Sequence, residues 1–260
     1  MMEAQTDGVT KSMKSHTVHS FDKELDSIRD RVMAMGGFTE QQLSDALTAF
    51  IMGDSFLAEM VIDKDKKLNR MELDLDDACI LLLARRTPVA FDLRLVMTMI
   101  KTINDLERIA DLAKEIARTS LAFAGNIKES NSLPLIEDIG EQAKKLLHES
   151  LDILARSDMQ MAIRLSRDYH LINSHHEAIL QRILDLAMER SHNPTDLLHI
   201  CQITHALGRI GDRCRNIAEY VIYLVGGKDV RHPWSTEAKM GKASELESND
   251  HVEGSHHPGK

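Results

Sequence analysis

Apolar residues recur at three- and four-residue spacing along almost the whole chain, the period of a helix with one buried face. Between His19 and Phe50 that face is marked by Phe21, Leu25, Ile28, Val32, Met35, Leu43, Leu47 and Phe50, and Gly36-Gly37 is expected to loosen the helix mid-way. Gly53-Asp54 reads as a turn, with Asp54 a candidate N-cap for a second helix running to about Arg86. Pro88 suits a first turn and opens a third helix, which continues to about Ala124 and stops at Gly125-Asn126. The pattern then restarts. Pro134 opens a fourth helix ending near Ser157-Asp158, and a fifth reaches about Arg190. After the break "SHNPTD" a sixth runs from about Thr195 to Val225 and ends at Gly226-Gly227.

The restart is visible in the residues themselves. "DLERIADLAKEIA" (105–117) returns 101 positions later as "ALGRIGDRCRNIA" (206–218), with six of thirteen positions identical. "DKDKKLNRMELDL" has a looser counterpart in "SRDYHLINSHHEA" at a slightly different offset. A repeat of about a hundred residues is too long for a solenoid unit, and short connections between long helices imply antiparallel neighbours. The pattern therefore predicts an all-α protein of two tandem, similar three-helix bundles, at 18–126 and 127–230. The polar, aperiodic residues 1–17 are expected to form a disordered arm, and 231–260 a disordered tail.

Composition narrows the function classes. A net charge of −9 argues against nucleic acid as a partner, because phosphate binding needs clustered Lys and Arg. Aromatics are 4% of residues against 14 methionines, which favours aliphatic helix packing. Cys79, Cys201 and Cys214 form no CxxC pair and sit in apolar helical patterns, as free buried thiols in a reducing compartment would. The opening residues lack the apolar core of a signal peptide. The longest apolar run, "ACILLLA" at 78–84, falls far short of the ~20 residues that span a bilayer. These features predict a cytoplasmic protein without direct membrane insertion.

Candidate chemistry lies in the repeated segment. On a helical wheel Ile103, Leu106, Ile109, Ala110, Ala113, Ile116 and Ala117 form the core arc, and Asn104, Glu107, Asp111 and Glu115 form a narrower stripe beside it. Carboxylates at i, i+4 and i+8 stand roughly 6 Å apart per step and repel one another. A bound cation, a basic partner helix, or Arg108 and Lys114 leaning across would each offset that repulsion. In the second copy the stripe holds His205, Asp212, Asn216 and Glu219, and Gly208 stands where Glu107 was. Oxygen-rich sets suit hard cations, and an imidazole shifts the preference toward zinc or iron. The opposing reading is a solvated acidic face. His175-His176 and His199 read as surface or packing residues, and His256-His257 is too short a tract for a metal site. No GxGxxG, Walker-type or GxSxG motif is present. A di-iron bundle would need Glu-x-x-His within facing helices, but Glu189–His192 lies at a helix break and Glu253–His256 in the tail. No catalytic nucleophile or acid–base pair emerges.

"RRTPVAFDLRLVMTMIKTINDLERIADLAKEIA" (85–117) and "ALGRIGDRCRNIAEYVIYLVGG" (206–227) closely resemble the PhoU family, with Pro88, Asp92, Leu93, Arg94, Leu106 to Ile109, Asp111, Arg209 to Asp212 and Asn216 to Glu219 as markers. The resemblance covers about residues 17–230 and implies the two-bundle fold already read from periodicity. It further implies a non-enzymatic, often dimeric negative regulator of phosphate uptake and of the phosphate-starvation response (the Pho regulon). Its implied partners are the ATPase subunit of the phosphate ABC transporter and a sensor histidine kinase, with Asp92, Arg94, Arg108 and Arg209 as contact candidates. Family members bind metal through acid-x-x-x-Asp motifs, one per bundle. By position, Glu107, Asp111 and Glu115 match the first motif, Asp212 and Asn216 match the second, and His205 and Glu219 are possible substitutes for the missing acid. Iron, zinc, manganese and magnesium are all open as the metal, and no organic cofactor is implied. The rival class is a metal-binding or metal-storage bundle, or a metalloenzyme, which needs a closed ligand set facing one cavity.

Overall fold

The computed structural model describes residues 6–123, 133–188 and 194–228. Within them the chain folds into α1 (Thr6–Met52), α2 (Ser55–Arg86), α3 (Ala90–Ala122), α4 (Leu133–Arg156), α5 (Met159–Met188) and α6 (Pro194–Gly226). There is no strand among the described residues, so the all-α reading holds. α1 starts at Thr6, inside the stretch expected to be a disordered arm, because extending an existing helix by a residue costs far less than nucleating one. Residues 1–5, the expected tail 231–260 and the stop at Gly125-Asn126 lie outside the described residues.

Helix ends follow local chemistry. The Asp54 carboxylate accepts from the Leu57 amide at 3.0 Å, and Asp158 accepts from Met161 in the same way at 3.0 Å. The residue before each cap is left-handed: Gly53 at φ +69 and Ser157 at φ +51. These two corners stand 104 residues apart (158 − 54), which identifies a repeat unit that includes α1 and α4 as well as the third helices.

The halves meet along two seams. In one, α1 and α4 run antiparallel. A Cβ on Gly36 would meet Leu151 Cδ2 at 2.6 Å, and one on Gly140 would meet Leu47 at 3.2 Å. Gly36 and Gly140 are 104 residues apart, as are Leu47 and Leu151, so the two contacts are images of each other under an internal two-fold. Gly36-Gly37 therefore does not loosen the helix. α1 is continuous through it, and the missing side chain admits Leu151. Arg29 bonds the Ala155 carbonyl and His148 Nδ1 lies 3.0 Å from Glu40 along the same seam.

In the other seam α3 packs antiparallel on α6. Every core residue expected on α3 is buried, from Ile103 to Ala117, together with Ile203, Leu207, Ile210, Ile217 and Ala218 on α6. At one end Phe50 meets Phe123 edge-on at 5.4 Å. At the other, Arg94 Nε donates to the Leu224 carbonyl at 3.0 Å. α2 and α5 flank this central pair, each against the third helix of its own half.

Candidate functional site

The stripe on α3 faces α2, and the two helices together bring an excess of carboxylates to one face. Asp65, Glu72 and Asp76 come from α2, and Glu107 and Asp111 from α3. Lys114 supplies a counter-charge, bridging Asp65 at 2.7 Å and Asp111 at 2.5 Å. Arg108 supplies a second, with NH1 at 3.6 Å from Asp111 and Nε at 3.4 Å from Glu107 Oε2. The leaning cations weighed for this stripe are thus present.

They do not neutralise everything. Glu107 keeps 13% of its side chain exposed, and its Oε2 is buried with no hydrogen-bond partner. Burial and the neighbouring Asp111 carboxylate push the Glu107 carboxyl up to about 7. Asp111 titrates below its ordinary value despite some burial, because Lys114 donates to it. Burial and Asp76 likewise raise Glu72. Of the two neighbouring carboxyls, Glu107 is therefore the one that holds a proton more readily.

The same position in the second half is built differently. Asp212 accepts from the Tyr169 hydroxyl of α5 at 2.9 Å. Arg215, the counterpart of Lys114 (215 − 114 = 101), lies over the Tyr169 ring at 4.9 Å, and its Nε is 3.5 Å from Glu219. Glu219 also accepts from Ser166 at 3.3 Å. Gly208 brings no side chain, and a small cavity of about 20 Å³ opens there between Gln142, Tyr169, Asn173 and Gly211.

The sequence-derived residues thus separate into groups. Glu107 and Asp111 meet, while Glu115 is exposed on the next turn. Asp212 is held by Tyr169, and His205 is exposed. Asn216 hydrogen-bonds Asp105 and favours its carboxylate form. Among the described residues no three or more His, Cys, Asp or Glu side chains converge as a metal cage would require. Of the partner-contact candidates, Arg108 and Arg209 are exposed, Asp92 sits in the first turn of α3, and Arg94 is committed to Leu224.

Three features escaped the sequence reading. Asp105 is buried on the α3–α6 seam, where Tyr220 donates to it at 2.8 Å and Arg213 NH1 at 3.1 Å. Burial raises its pKa against those donors. The signal was a mismatch between the copies, since Ala206 and Leu112 stand where Asp105 and Arg213 would repeat. The Asp65–Lys114 bridge and Tyr169 are the other two, and each joins residues far apart in the chain.

No helix among the described residues is long and apolar enough to cross a membrane. The PhoU domain family model matches residues 32–120 and 136–221, once per bundle. The phosphate-specific transport system accessory protein PhoU of Escherichia coli (strain K12) is 42% identical over 221 residues, 85% of this chain and 91% of that protein. The crystal structure of PhoU from Pseudomonas aeruginosa is similar with a TM-score of 0.75 and 37% identity, covering 80% of this chain and 100% of that one. The phosphate transport system regulatory protein PhoU from Streptococcus pneumoniae is similar with a TM-score of 0.74 and 26% identity, covering 82% and 100%. With its two matched domains and near-complete coverage of these relatives, the chain belongs to the PhoU family.

Proposed function

We propose that this protein is a non-enzymatic accessory protein of phosphate transport that represses phosphate uptake and the phosphate-starvation response. It acts by contact, as a homodimer linking the ATPase subunit of the phosphate ABC transporter to a sensor histidine kinase in the cytoplasm. The tandem domain match, once per bundle, is the observation that carries this reading. Its relatives, an accessory protein and a regulatory protein of phosphate transport, point the same way. Exposed Arg108 and Arg209, repeated 101 residues apart, give each half a cation at the same place on its outer face for protein contacts.

The acidic face of α2 and α3 fits a weakly held divalent cation. Glu107 offers a buried oxygen with no hydrogen-bond partner, next to Asp111. Two carboxylates suit a hard ion that retains several waters, magnesium or manganese before zinc. Such an ion would supply the positive charge Glu107 otherwise obtains from a proton, and Lys114 would release Asp111 to it. Asp65 would remain paired with Lys114. A storage bundle or metalloenzyme would call for three or more converging ligands, whereas this face offers the pair Glu107 and Asp111.

Deleting the gene tests the regulatory reading. Starvation genes are expected to be expressed despite ample phosphate in the deletion strain, and normal repression there refutes the reading. Reversing Arg108 and Arg209 to Glu is expected to weaken co-purification with the kinase without unfolding the protein.

A further inference from the structure

We propose that the α5–α6 counterpart of the acidic face is a junction that takes no cation, with the Tyr169 phenol in the place of a carboxylate. Uptake of a divalent cation is then confined to the Glu107–Asp111 face of the first bundle. The inference rests on the cation reading of that face given above.

The argument starts from equivalence. In the first half the α2 residue that engages the repeated aspartate and its cation is Asp65, through Lys114. In the second half the α5 residue doing so is Tyr169, 104 positions later, through Asp212 and Arg215. The offset is the one relating Gly36 to Gly140 and Asp54 to Asp158, so Tyr169 occupies the Asp65 position. Glu107 is replaced by Gly208 at the same time. Two carboxylates have left this face together.

Each remaining oxygen-bearing side chain already has a protein partner. Asp212 accepts the phenol proton at 2.9 Å, Asn216 serves Asp105, and Glu219 serves Ser166 and Arg215. Tyr169 itself is buried and fixed on three sides. Asp212 holds its hydroxyl, Arg215 covers its ring, and Gly211 lies beneath it. A Cβ on Gly211 would stand 3.2 Å from Tyr169 Cε2 and Oη, whereas the first copy has Ala110 there. Glycine at 211 is what lets the ring lie flat against α6. The hollow beside Gly208 is lined largely by apolar side chains, Ile139, Ala143, Leu146 and Leu207 among them, and so offers a cation few ligands. Arg215, which covers the Tyr169 ring, would also repel a cation approaching Asp212.

The test is equilibrium dialysis of the tag-free full chain against Mn²⁺, with bound metal per chain read by atomic emission. Asp212→Asn is expected to bind as much Mn²⁺ as the wild type, and Glu107→Gln to lose all of it. A drop of about half in Asp212→Asn, or half the metal surviving in Glu107→Gln, overturns the proposal. Wild type that takes up no Mn²⁺ refutes the cation reading of the first face, and the junction is then decided by spectroscopy. The chain has three tyrosines, so the ring Cζ resonance of labelled Tyr169 is assignable by its disappearance in Tyr169→Phe. That resonance is expected to shift in Asp212→Asn while the other two stay in place. An unmoved Tyr169 signal overturns the phenol–carboxylate bond and the proposal with it.

Discussion

The two halves share a backbone to the level of single caps and glycine contacts, yet they treat one repeated aspartate in opposite ways. Around Asp111 stand Asp65, Glu72 and Glu107 with Lys114 and Arg108, an arrangement with carboxylates in excess. Around Asp212 stand a phenol, an arginine stacked on it and a glycine. Apolar positions facing the seam are held in both copies because each fills space that the other half defines. Positions beside the core arc face a flanking helix or solvent, and there the copies were free to diverge. A duplicated fold thus preserves its packing and changes its chemistry one stripe away from it.

The seam carries its own asymmetry, and breaking it gives the largest effect. Arg213→Ala leaves Asp105 buried without its counter-charge and is expected to cost about 4 kcal/mol in urea unfolding, since the loss of that partner strands a charge. Asp105→Ala combined with Arg213→Leu copies the apolar pair found at the opposite end, Ala206 and Leu112. The double variant is expected to fall within about 1–2 kcal/mol of wild type, because a buried ion pair can be exchanged for apolar packing at little net cost. A double variant as unstable as the single one would mean that the two ends are not equivalent.

Next in size is the contrast between the two stripe cations. Lys114→Ala removes the ammonium shared by Asp65 and Asp111, where Asp65 is 9% exposed, and is expected to cost about 3 kcal/mol. Arg215→Ala loses a ring contact and a loose pair with Glu219 and is expected to cost about 1 kcal/mol. Equal losses on thermal unfolding would erase the claimed difference between the faces.

Glu107→Gln sharpens the same contrast through pH. The native Glu107 carboxyl titrates near 7 and its unfolded counterpart near 4.5, so the unfolded chain releases the proton first. Stability from this group is complete below about 4.5 and is lost as pH rises to about 7. In chelator, Glu107→Gln is therefore expected to match wild type at pH 4.5 and exceed it by about 1–2 kcal/mol at pH 8.

Much of this architecture was legible in the chain because helices announce themselves locally. The core arc of α3, the Asp54 cap and the corner at Ser157-Asp158 each depend on neighbours a few residues away. What escaped depends on partners on other helices, far along the chain. Gly36 reads as a helix breaker until Leu151 is seen against it. Asp105 looks like one more surface acid until Arg213 and Tyr220 cover it, and Asn216 looks like a partner for Asp212 until it is found on Asp105. The α1–α4 repeat escaped because its matches, Gly36 with Gly140, Leu47 with Leu151 and Asp54 with Asp158, are too widely spaced to form a similar run. Even the acidic stripe, visible from its spacing, gave no hint that its counterpart closes on a tyrosine.

The smallest test concerns the corners themselves. Gly53 at φ +69 and Ser157 at φ +51 hold equivalent left-handed positions, but only the glycine adopts that region without a clash between Cβ and its own carbonyl. Ser157→Gly relieves about 1 kcal/mol of strain and returns part of it through greater freedom of the unfolded chain. The net gain is expected to be about 0.5 kcal/mol. Gly53→Ser imposes the same strain on the first corner, where nothing lies within 4 Å of the added Cβ, and is expected to lose a similar amount. Because both corners carry an aspartate cap of the same length, the two changes are expected to be opposite in sign and close in size on thermal unfolding. A loss from Ser157→Gly would show that the serine hydroxyl stabilises the second corner in a way the first has no need of, and that the halves differ in their turns as well as in their stripes.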